Sequence, residues 1–421
     1  MRAAENRRAE REHGWARPAT GRCETAATRR LPPAGRSAGP RGWVALAAAV
    51  AILLGGCTSG GSAAPAGTAP AGTAPSAGSE PATPGPPVST APGGAPGVSQ
   101  PTVVEQIGAE LQVPWSTVFL PDGTAVISER DSALLRTIAP GAGGGRAGTL
   151  GKVPDVVPDG EGGLLGLALS PDFATDRYLY AYFTAAGDNR IARLRLEERE
   201  GKLQLGAPEM VFSGIPKART HNGGRIRFGP DGYLYVGTGD SQRRGQPQDR
   251  NAVGGKILRI TPEGRPAPGN PFGDNPAYSL GHRNVQGLAW DSAGRLWASE
   301  FGPDVDDELN LIVPGGNYGW PDVTGAPRRA GFLDAKVVWP STAESSPSGL
   351  EIVGDTAYLG ALRGQRLWEV PLNGEFAGEP VGYFTRLYGR IRDVSLAPDG
   401  RLWVLNNNQN PDSVLVLELP G

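Results

Sequence analysis

Residues 226–236 have the sequence IRFGPDGYLYV, in which a Pro-Asp-Gly turn joins two short apolar segments. Proline and glycine set the turn, the aspartate side chain can bond its own backbone, and the aromatic and branched residues on either side favour strands. The pattern recurs at intervals of roughly 45 to 65 residues, with variation in the turn. The copies lie at Val118–Ile127, Leu167–Tyr182, Ile226–Val236, Leu288–Ala298, Leu350–Leu359 and Val394–Val404.

This spacing predicts an all-β fold, a six-bladed β-propeller over residues 101–421 with one four-stranded sheet for each copy. A two-sheet sandwich with chance turns is the alternative. No long helical pattern competes, and Arg193–Gly201 alternates apolar and charged residues as an outer strand would. Because loops at one end of a propeller converge, a site should combine residues that are distant in sequence.

The first hundred residues predict export. Residues 1–57 contain a basic segment, the apolar run Trp43–Leu54 and a Leu-Gly-Gly-Cys sequence ending at Cys57, which resembles a bacterial lipobox. We therefore expect a lipoprotein signal peptide with lipidation at Cys57, and an anchor on the outer face of the bacterial cell membrane. A plain signal peptide is the alternative. Residues 58–100 are almost all Ala, Gly, Pro, Ser and Thr, which predicts a disordered linker.

Cysteine count and charge limit the remaining classes. The chain has 2 cysteines, Cys23 and Cys57, so cleavage at the lipobox would leave the folded domain without a disulfide. Its 41 basic and 43 acidic residues are nearly balanced, which gives no indication of nucleic-acid binding.

Polar residues and glycines that a core would exclude are concentrated between Arg219 and Gly319, at the ends of apolar strands. Glycines after His221 would allow a ligand to approach the backbone closely, and Asp240 ends the same repeat. A carboxylate beside an imidazole orients it as a general base. Arg390 and Arg392 alternate on one extended segment, and two like charges on one face indicate an anion between them.

Several motifs occur in family order from about Val103 to the C-terminus. They are PW at 114–115, EGGLLG at 161–166, HNGGR at 221–225, GD at 239–240, GHRNVQG at 281–287, EFGP at 300–303, DDELN at 306–310 and GGNYGWP at 315–321. Together they resemble the glucose/sorbosone dehydrogenase family, specifically its soluble aldose sugar dehydrogenases that depend on pyrroloquinoline quinone (PQQ). The resemblance implies a six-bladed propeller that uses PQQ and calcium, oxidises aldoses at C1 to lactones and passes electrons to an external acceptor.

The resemblance also implies roles for individual residues. His221 would be the general base, partnered by Asp240. PQQ, with three carboxylates, would be held by Glu161, Arg283, Asn284, Arg363, Arg390 and Arg392. Gly302 and Pro303 would offer carbonyl oxygens to a calcium ion beside the quinone. Asp306–Glu308 together with Tyr318 resembles a second, structural calcium site, with Glu308 as a ligand.

Three departures favour the broader aldose-oxidising branch over strict glucose specificity. The glucose-oxidising members of the family carry an aspartate before the histidine, where this chain has Thr220. They carry a glutamine where this chain has Glu161, and a cofactor lysine where it has Arg363. Glu161 would need a neighbouring arginine or a proton to be compatible with an anionic cofactor. Two other functions stay open on the residues alone: a calcium-dependent lactonase on a similar propeller, and a non-catalytic propeller that binds a glycan or a protein.

Overall fold

The computed structural model describes residues 100–141, 146–408 and 411–420. The signal peptide, Cys57 and all of the linker before residue 100 lie outside the described residues. Within the described ranges, no helix has the length and apolar character needed to cross a membrane.

The described chain forms six antiparallel sheets and a single short helix, α1 (Phe173–Asp176). We number the sheets as blades 1 to 6. Blade 1 contains β2 (Pro114–Phe119), β3 (Ala125–Glu129), β4 (Leu134–Ile138) and β5 (Gly148–Lys152). Blade 2 contains β6 (Leu164–Leu169), β7 (Tyr178–Thr184), β8 (Asn189–Arg199) and β9 (Lys202–Ile215). Blade 3 contains β10 (Ile226–Phe228), β11 (Leu234–Gly237), β12 (Lys256–Ile260) and β13 (Ala277–Leu280).

The second half of the ring repeats the arrangement. Blade 4 contains β14 (Val285–Trp290), β15 (Leu296–Glu300), β16 (Asp307–Ile312) and β17 (Val337–Trp339). Blade 5 contains β18 (Pro347–Val353), β19 (Thr356–Ala361), β20 (Arg366–Asn373), β21 (Phe376–Ala377) and β22 (Val381–Tyr383). Blade 6 contains β23 (Ile391–Leu396), β24 (Leu402–Asn406), β25 (Asp412–Glu418) and β1 (Thr102–Leu111).

The six-bladed propeller predicted from the repeated turns is confirmed, and every copy of the pattern supplies the first two strands of one blade. Two details differ from the expectation. The segment Arg193–Gly201 belongs mainly to the third strand of blade 2, with β9 outside it, and blade 5 carries a fifth short strand.

The ring is closed by the N-terminal strand β1, which is the outermost strand of blade 6. It pairs antiparallel with β25, with Val103 opposite Leu417 and Ile107 opposite Val414. Closure of this kind joins the two ends of the chain in one sheet and covers an edge that would otherwise be free to aggregate.

The core lies between the blades. Six clusters of buried apolar residues occur in the described chain, and each combines residues of neighbouring blades. Their largest side chains include Trp115 and Trp297, which are 1% and 0% exposed. Each blade therefore buries both of its faces against its neighbours, which fixes the ring.

The two ends of the central channel differ. The repeated turns lie at one end, which we call the turn face. The loops that join second to third strands, and one blade to the next, lie at the other end, which we call the mouth. At the mouth, the innermost strands of blades 1, 4 and 6 are irregular around Trp115, Gln286 and Arg392. Bulges of this kind change the direction of side chains. Here they bring Trp115, Gln286 and Arg392 together at one site.

Removing β1 should destabilise the propeller. A chain that begins at residue 112 loses the burial of Ile107 and Leu111, which are 5% and 0% exposed. At about 1.5–3 kcal/mol for each side chain, we expect the midpoint of thermal unfolding to fall by about 5 to 9 °C. The control is a chain that begins at residue 100. Equal midpoints for the two chains would contradict the role given to β1.

Candidate active site

A cavity of about 260 Å³ opens at the mouth, and most residues predicted for the site line it. Those residues come from loops of different blades, as a propeller site requires. They are Glu161, His221, Arg283, Gly302, Pro303, Arg363, Arg390 and Arg392. Arg130, Gln286, Phe301, Thr342, Ser346 and Leu362 complete the lining.

His221 is held in an unusual backbone conformation. It lies in the loop before β10, with φ of 59°. Non-glycine residues rarely adopt this left-handed region. The backbone N–H of His221 donates a hydrogen bond of 2.9 Å to Oε2 of Glu161. The Glu161 carboxylate therefore supports the conformation that turns this imidazole toward the cavity.

Asp240 orients the imidazole from behind. Its Oδ1 is 2.8 Å from Nδ1 of His221, and its Oδ2 accepts a 2.8 Å hydrogen bond from the indole N–H of Trp320. Burial opposes ionisation, but hydrogen bonds from His221, Trp320 and the Gln242 N–H hold the pKa of Asp240 below its ordinary value. An ionised Asp240 accepts a hydrogen bond from the Nδ1–H group of His221. In this tautomer of the neutral imidazole, Nε2 carries no proton and can act as a base.

The cavity is strongly cationic. Five guanidinium groups line it, and Glu161 is the one carboxylate among its lining residues. Burial lowers the pKa values of Arg283 and Arg390. Burial, followed by the nearby charges of Arg130 and Arg390, lowers the pKa of Arg392 to about 9. Arginine side chains keep their charge in proteins, so the mutual repulsion of these groups is a cost that a bound anion would remove.

The floor of the cavity is a packed polar assembly. Two arginines stack on the Trp115 ring, with Cζ of Arg225 at 4.5 Å and Cζ of Arg392 at 5.7 Å from its centroid. Arg392 donates a 2.6 Å hydrogen bond to Oε1 of Gln286, and Arg225 donates one of 2.8 Å to the Gln286 carbonyl. Stacking and bonding together fix the direction of the Arg392 side chain.

Asp393 balances the deeper arginine. Its Oδ1 is 2.9 Å from Nη2 of Arg225, close enough for an ion pair although the angle is too poor for a hydrogen bond. Burial raises the pKa of Asp393 and lowers that of Arg225, so each charge depends on the other. Removing one partner of such a pair is costly because the other charge is left buried and uncompensated.

Gly302 lies in a tight bend of the loop that lines the cavity. A side chain at Gly302 would meet the Val305 carbonyl oxygen at 1.9 Å, so only glycine fits this bend. The carbonyl oxygens of Gly302 and Pro303 accept no hydrogen bond from a described residue. Asp307 ties the loop down from below, accepting the N–H groups of Gly302 at 2.9 Å and Ser346 at 2.6 Å.

The other predicted residues lie outside the cavity. The buried Asn284 side chain accepts the Gly223 N–H at 2.9 Å and so braces the His221 loop. Buried Glu308 accepts hydrogen bonds from Asn310 and the Gly325 N–H, and burial raises its pKa well above its ordinary value.

Tyr318 donates a hydrogen bond to the Leu311 carbonyl at 2.6 Å and stacks on His282. Among the described residues, no three His, Cys, Asp or Glu side chains converge as a metal cluster would. The second calcium site stays a prediction.

Several site residues were not recognisable from the sequence. Arg130 follows a strand without any motif of its own, and Trp320 lies about eighty positions from the aspartate that it contacts. Arg225 and Trp115 lie within quoted motifs, but nothing in their spacing indicates that they stack. The signal that could have found Arg130 is its place directly after Glu129, at the mouth end of a predicted second strand.

A family model described as Glucose / Sorbosone dehydrogenase matches residues 111–416. The chain belongs to this family. A PQQ-bound aldose sugar dehydrogenase from Streptomyces coelicolor has a similar structure, with a TM-score of 0.73 and 49% sequence identity, over 77% of this chain and 99% of that chain. An aldose sugar dehydrogenase from Escherichia coli is 32% identical over 74% of this chain and 92% of its own length.

A quinoprotein glucose dehydrogenase B from Acinetobacter calcoaceticus is 32% identical over 54% of this chain and 54% of its own length. Family membership confirms the prediction from the motifs and makes the chain an oxidoreductase of the dehydrogenase type. It therefore decides against the lactonase and the non-catalytic propeller as main functions.

Asp307 should make the stability of the fold depend on pH. Burial raises its pKa from 3.8 to about 6, so the folded state holds a proton that the unfolded state has released. The contribution of Asp307 to the free energy of unfolding is full below pH 3.8 and is lost as the pH rises through about 6. Relative to Asp307→Asn, the wild-type free energy of unfolding should therefore decrease by up to about 3 kcal/mol between pH 4 and 7.

Chemical denaturation at several pH values would measure this difference. The exposed neighbour Asp304 provides a control as Asp304→Asn. A difference between wild type and Asp307→Asn that stays constant, or that increases with pH, would show that burial of Asp307 does not have the effect described.

Proposed function

We propose that this chain oxidises aldose sugars at C1 to the corresponding lactones, with PQQ and calcium as cofactors and His221 as the general base. The observation that carries the proposal is the composition of one cavity. Five arginines face a single carboxylate there, beside an imidazole that an ionised aspartate orients. The arginines match a planar, multiply charged anion. The imidazole matches a hydroxyl that must lose a proton.

The residues of the cavity fit PQQ. Arg283, Arg363, Arg390 and Arg392 would bind its carboxylates, since a guanidinium pairs with a carboxylate through two parallel hydrogen bonds. Within the described chain, Nε of Arg283 and Nε of Arg392 are buried and have no hydrogen-bond partner. Buried donors without partners are rare in proteins, and a bound anion would supply acceptors at this place.

Glu161 does not oppose this assignment. Its Oε2 is occupied by the His221 N–H, and the surrounding guanidinium groups outnumber its charge. The neighbouring arginine that Glu161 was expected to need would be supplied by Arg283, Arg390 and Arg392, whose charges interact with this carboxylate. Arg363 takes the place expected of a lysine, since it lines the cavity and donates a 2.8 Å hydrogen bond to the Thr342 hydroxyl.

His221 has the clearest task in the reaction. Nε2 would accept the proton of the C1 hydroxyl, while Asp240 stabilises the positive charge that the imidazole then carries. When bound, PQQ would supply a quinone able to accept a hydride, and the Gly302 and Pro303 carbonyls would hold a calcium ion as a Lewis acid beside it. Trp320 and Gln242 keep Asp240 in place, so the base remains aligned throughout.

Aldose range and cellular address are also proposals. Thr220, whose hydroxyl accepts a hydrogen bond from Gln242 at 2.8 Å, offers no charge to the sugar, which supports a broad range of aldoses. The sequence before residue 100 supports export, lipidation at Cys57 and an anchor on the outer face of the bacterial cell membrane. Electrons would leave to an external acceptor.

The direct test of the function is reconstitution. The purified chain is loaded with calcium and PQQ, and reduction of an electron-accepting dye is followed with glucose and other aldoses. We expect activity that requires PQQ and forms a lactone product. Retention of PQQ without oxidation of any aldose would refute the proposed substrate class, and failure to retain PQQ would refute the proposed cofactor.

His221→Ala should lower kcat by a factor of about 10² to 10⁴, because general-base catalysis contributes this much. PQQ binding, measured by equilibrium dialysis, should be nearly unchanged. Arg219→Ala is the matched control, since Arg219 is an exposed residue of the same loop. If His221→Ala keeps kcat within a factor of three of wild type, another group must remove the proton.

Arg392→Gln should weaken PQQ binding by a factor of roughly 10 to 100, the value of a charge-assisted hydrogen bond inside a protein. Quenching of tryptophan fluorescence by PQQ measures the affinity independently of turnover. The control is Arg386→Gln, which removes an exposed arginine from the nearby loop that precedes β23. Equal losses in both variants would mean that only net charge matters and that Arg392 has no specific role.

A further inference from the structure

A second cavity lies on the turn face, between blades 3 and 4, far from the loops that line the mouth. It has a volume of about 350 Å³, within the range of small-ligand sites. Its rim comes from the β10–β11 and β14–β15 turns and from the segment after β16: Pro230, Asp231, Gly294, Arg295, Val313 and Pro314. Nothing in the proposed dehydrogenase reaction uses this cavity.

Aromatic rings form its walls. Tyr235 is almost fully buried at the centre, and Tyr278 and Trp290 meet it edge to face at centroid distances of 5.2 Å and 5.1 Å. Both outer rings are partly exposed and line the cavity. A side chain at Gly229 would come within 2.6 Å of Tyr235 and 3.0 Å of Trp290, so a glycine there lets the rings pack this closely.

The aromatic group is fixed before any ligand arrives. The Tyr235 hydroxyl donates a 3.0 Å hydrogen bond to Asp231, and Arg259 donates one of 2.8 Å to the same carboxylate oxygen. The Arg259 guanidinium also lies over the Tyr233 ring, 4.2 Å from its centroid. Rigid rings lose little conformational freedom on binding.

Polar groups with unused hydrogen-bonding capacity surround the rings. Within the described residues, the indole N–H of Trp290 has no hydrogen-bond partner, and the exposed carboxylate of Glu375 makes no ion pair. Arg295 uses its Nε to hold Asp291 at 2.7 Å, and no described residue accepts from its terminal nitrogens. The cavity therefore offers two donors and one acceptor beside partly exposed aromatic faces.

We propose that this cavity is a saccharide-binding site that takes a pyranose ring. The apolar C–H face of a pyranose packs on aromatic rings, and its hydroxyls donate to a carboxylate and accept from guanidinium and indole N–H groups. A fatty acyl chain would leave Glu375 and Arg295 desolvated without partners, which is unfavourable. Because the site is on the turn face, bound saccharide leaves the mouth open to substrate.

The ring could belong to a free aldose or to the end of a glycan chain, and the test separates the two. The full chain, free of PQQ, is titrated with methyl β-glucopyranoside and with a soluble β-glucan oligosaccharide, and binding is followed by ligand-observed NMR. The methyl glycoside has no free C1 hydroxyl, so it is not a substrate for the proposed oxidation. Tighter binding of the oligosaccharide identifies a glycan chain as the ligand, and equal binding identifies a single sugar.

Variants connect the binding to this cavity. Trp290→Ala and Glu375→Gln should each weaken binding by about tenfold, the loss expected for one stacking contact or one hydrogen bond to a charged group. The control is Phe376→Ala, since Phe376 is 75% exposed and follows Glu375 without lining the cavity. Glu375 is a surface residue, so its variant keeps the test valid even if Trp290→Ala fails to fold.

Absence of saturable binding of either saccharide to wild type would overturn the proposal. So would binding that both variants leave unchanged, since the saccharide would then occupy another site. PQQ-dependent oxidation of glucose by Glu375→Gln should equal that of wild type. Saccharide binding at the turn face and PQQ-dependent oxidation are thus measured independently, so either proposal can fail while the other holds.

Discussion

The repulsion among arginines at the mouth is the constraint on which the site depends. Arg283, Arg390 and Arg392 are brought together with Arg130 and Arg363 around a cavity that holds one carboxylate. Like charges in a partly desolvated space repel strongly, because the protein screens them less than water does. Holding these groups together therefore lowers the stability of the fold. A bound polyanion would remove the repulsion, and this gain would strengthen its binding.

The propeller tolerates this arrangement because its inner strands are not regular at the mouth. Irregular pairing around Trp115, Gln286 and Arg392 brings these side chains into one polar assembly, in which Arg225 and Arg392 both stack on the Trp115 ring. Asp393 lies at ion-pair distance from the Arg225 guanidinium, whereas Arg392 has no carboxylate partner among the described residues. The apolar cores between blades then have to supply the stability that the polar floor does not.

The sequence predicted the fold because each blade carries its own local signal. Proline, aspartate and glycine at the turns, flanked by apolar strands, determine hairpins without reference to distant residues. The meeting of His221 and Asp240 was predictable for the same reason, since one hairpin joins them. The backbone of His221 was not, because its positive φ depends on a hydrogen bond to Glu161, sixty positions away.

Other parts of the site depend on contacts that a single sequence does not reveal. A bulge leaves no mark in the alternation of residues, so Arg392 was placed correctly on a face but without its contacts to Trp115 and Gln286. Arg130 follows a strand with no motif around it, so its sequence context does not indicate that it lines the cavity.

The central claim is that the arginines of the mouth require a carboxylate-bearing anion. It is tested most directly by comparing PQQ with its neutral trimethyl ester in thermal unfolding of the full chain. At a ligand concentration about one hundred times the dissociation constant, PQQ should raise the unfolding midpoint by about 4 °C. The ester should leave the midpoint unchanged. An equal rise with both compounds would contradict the electrostatic account.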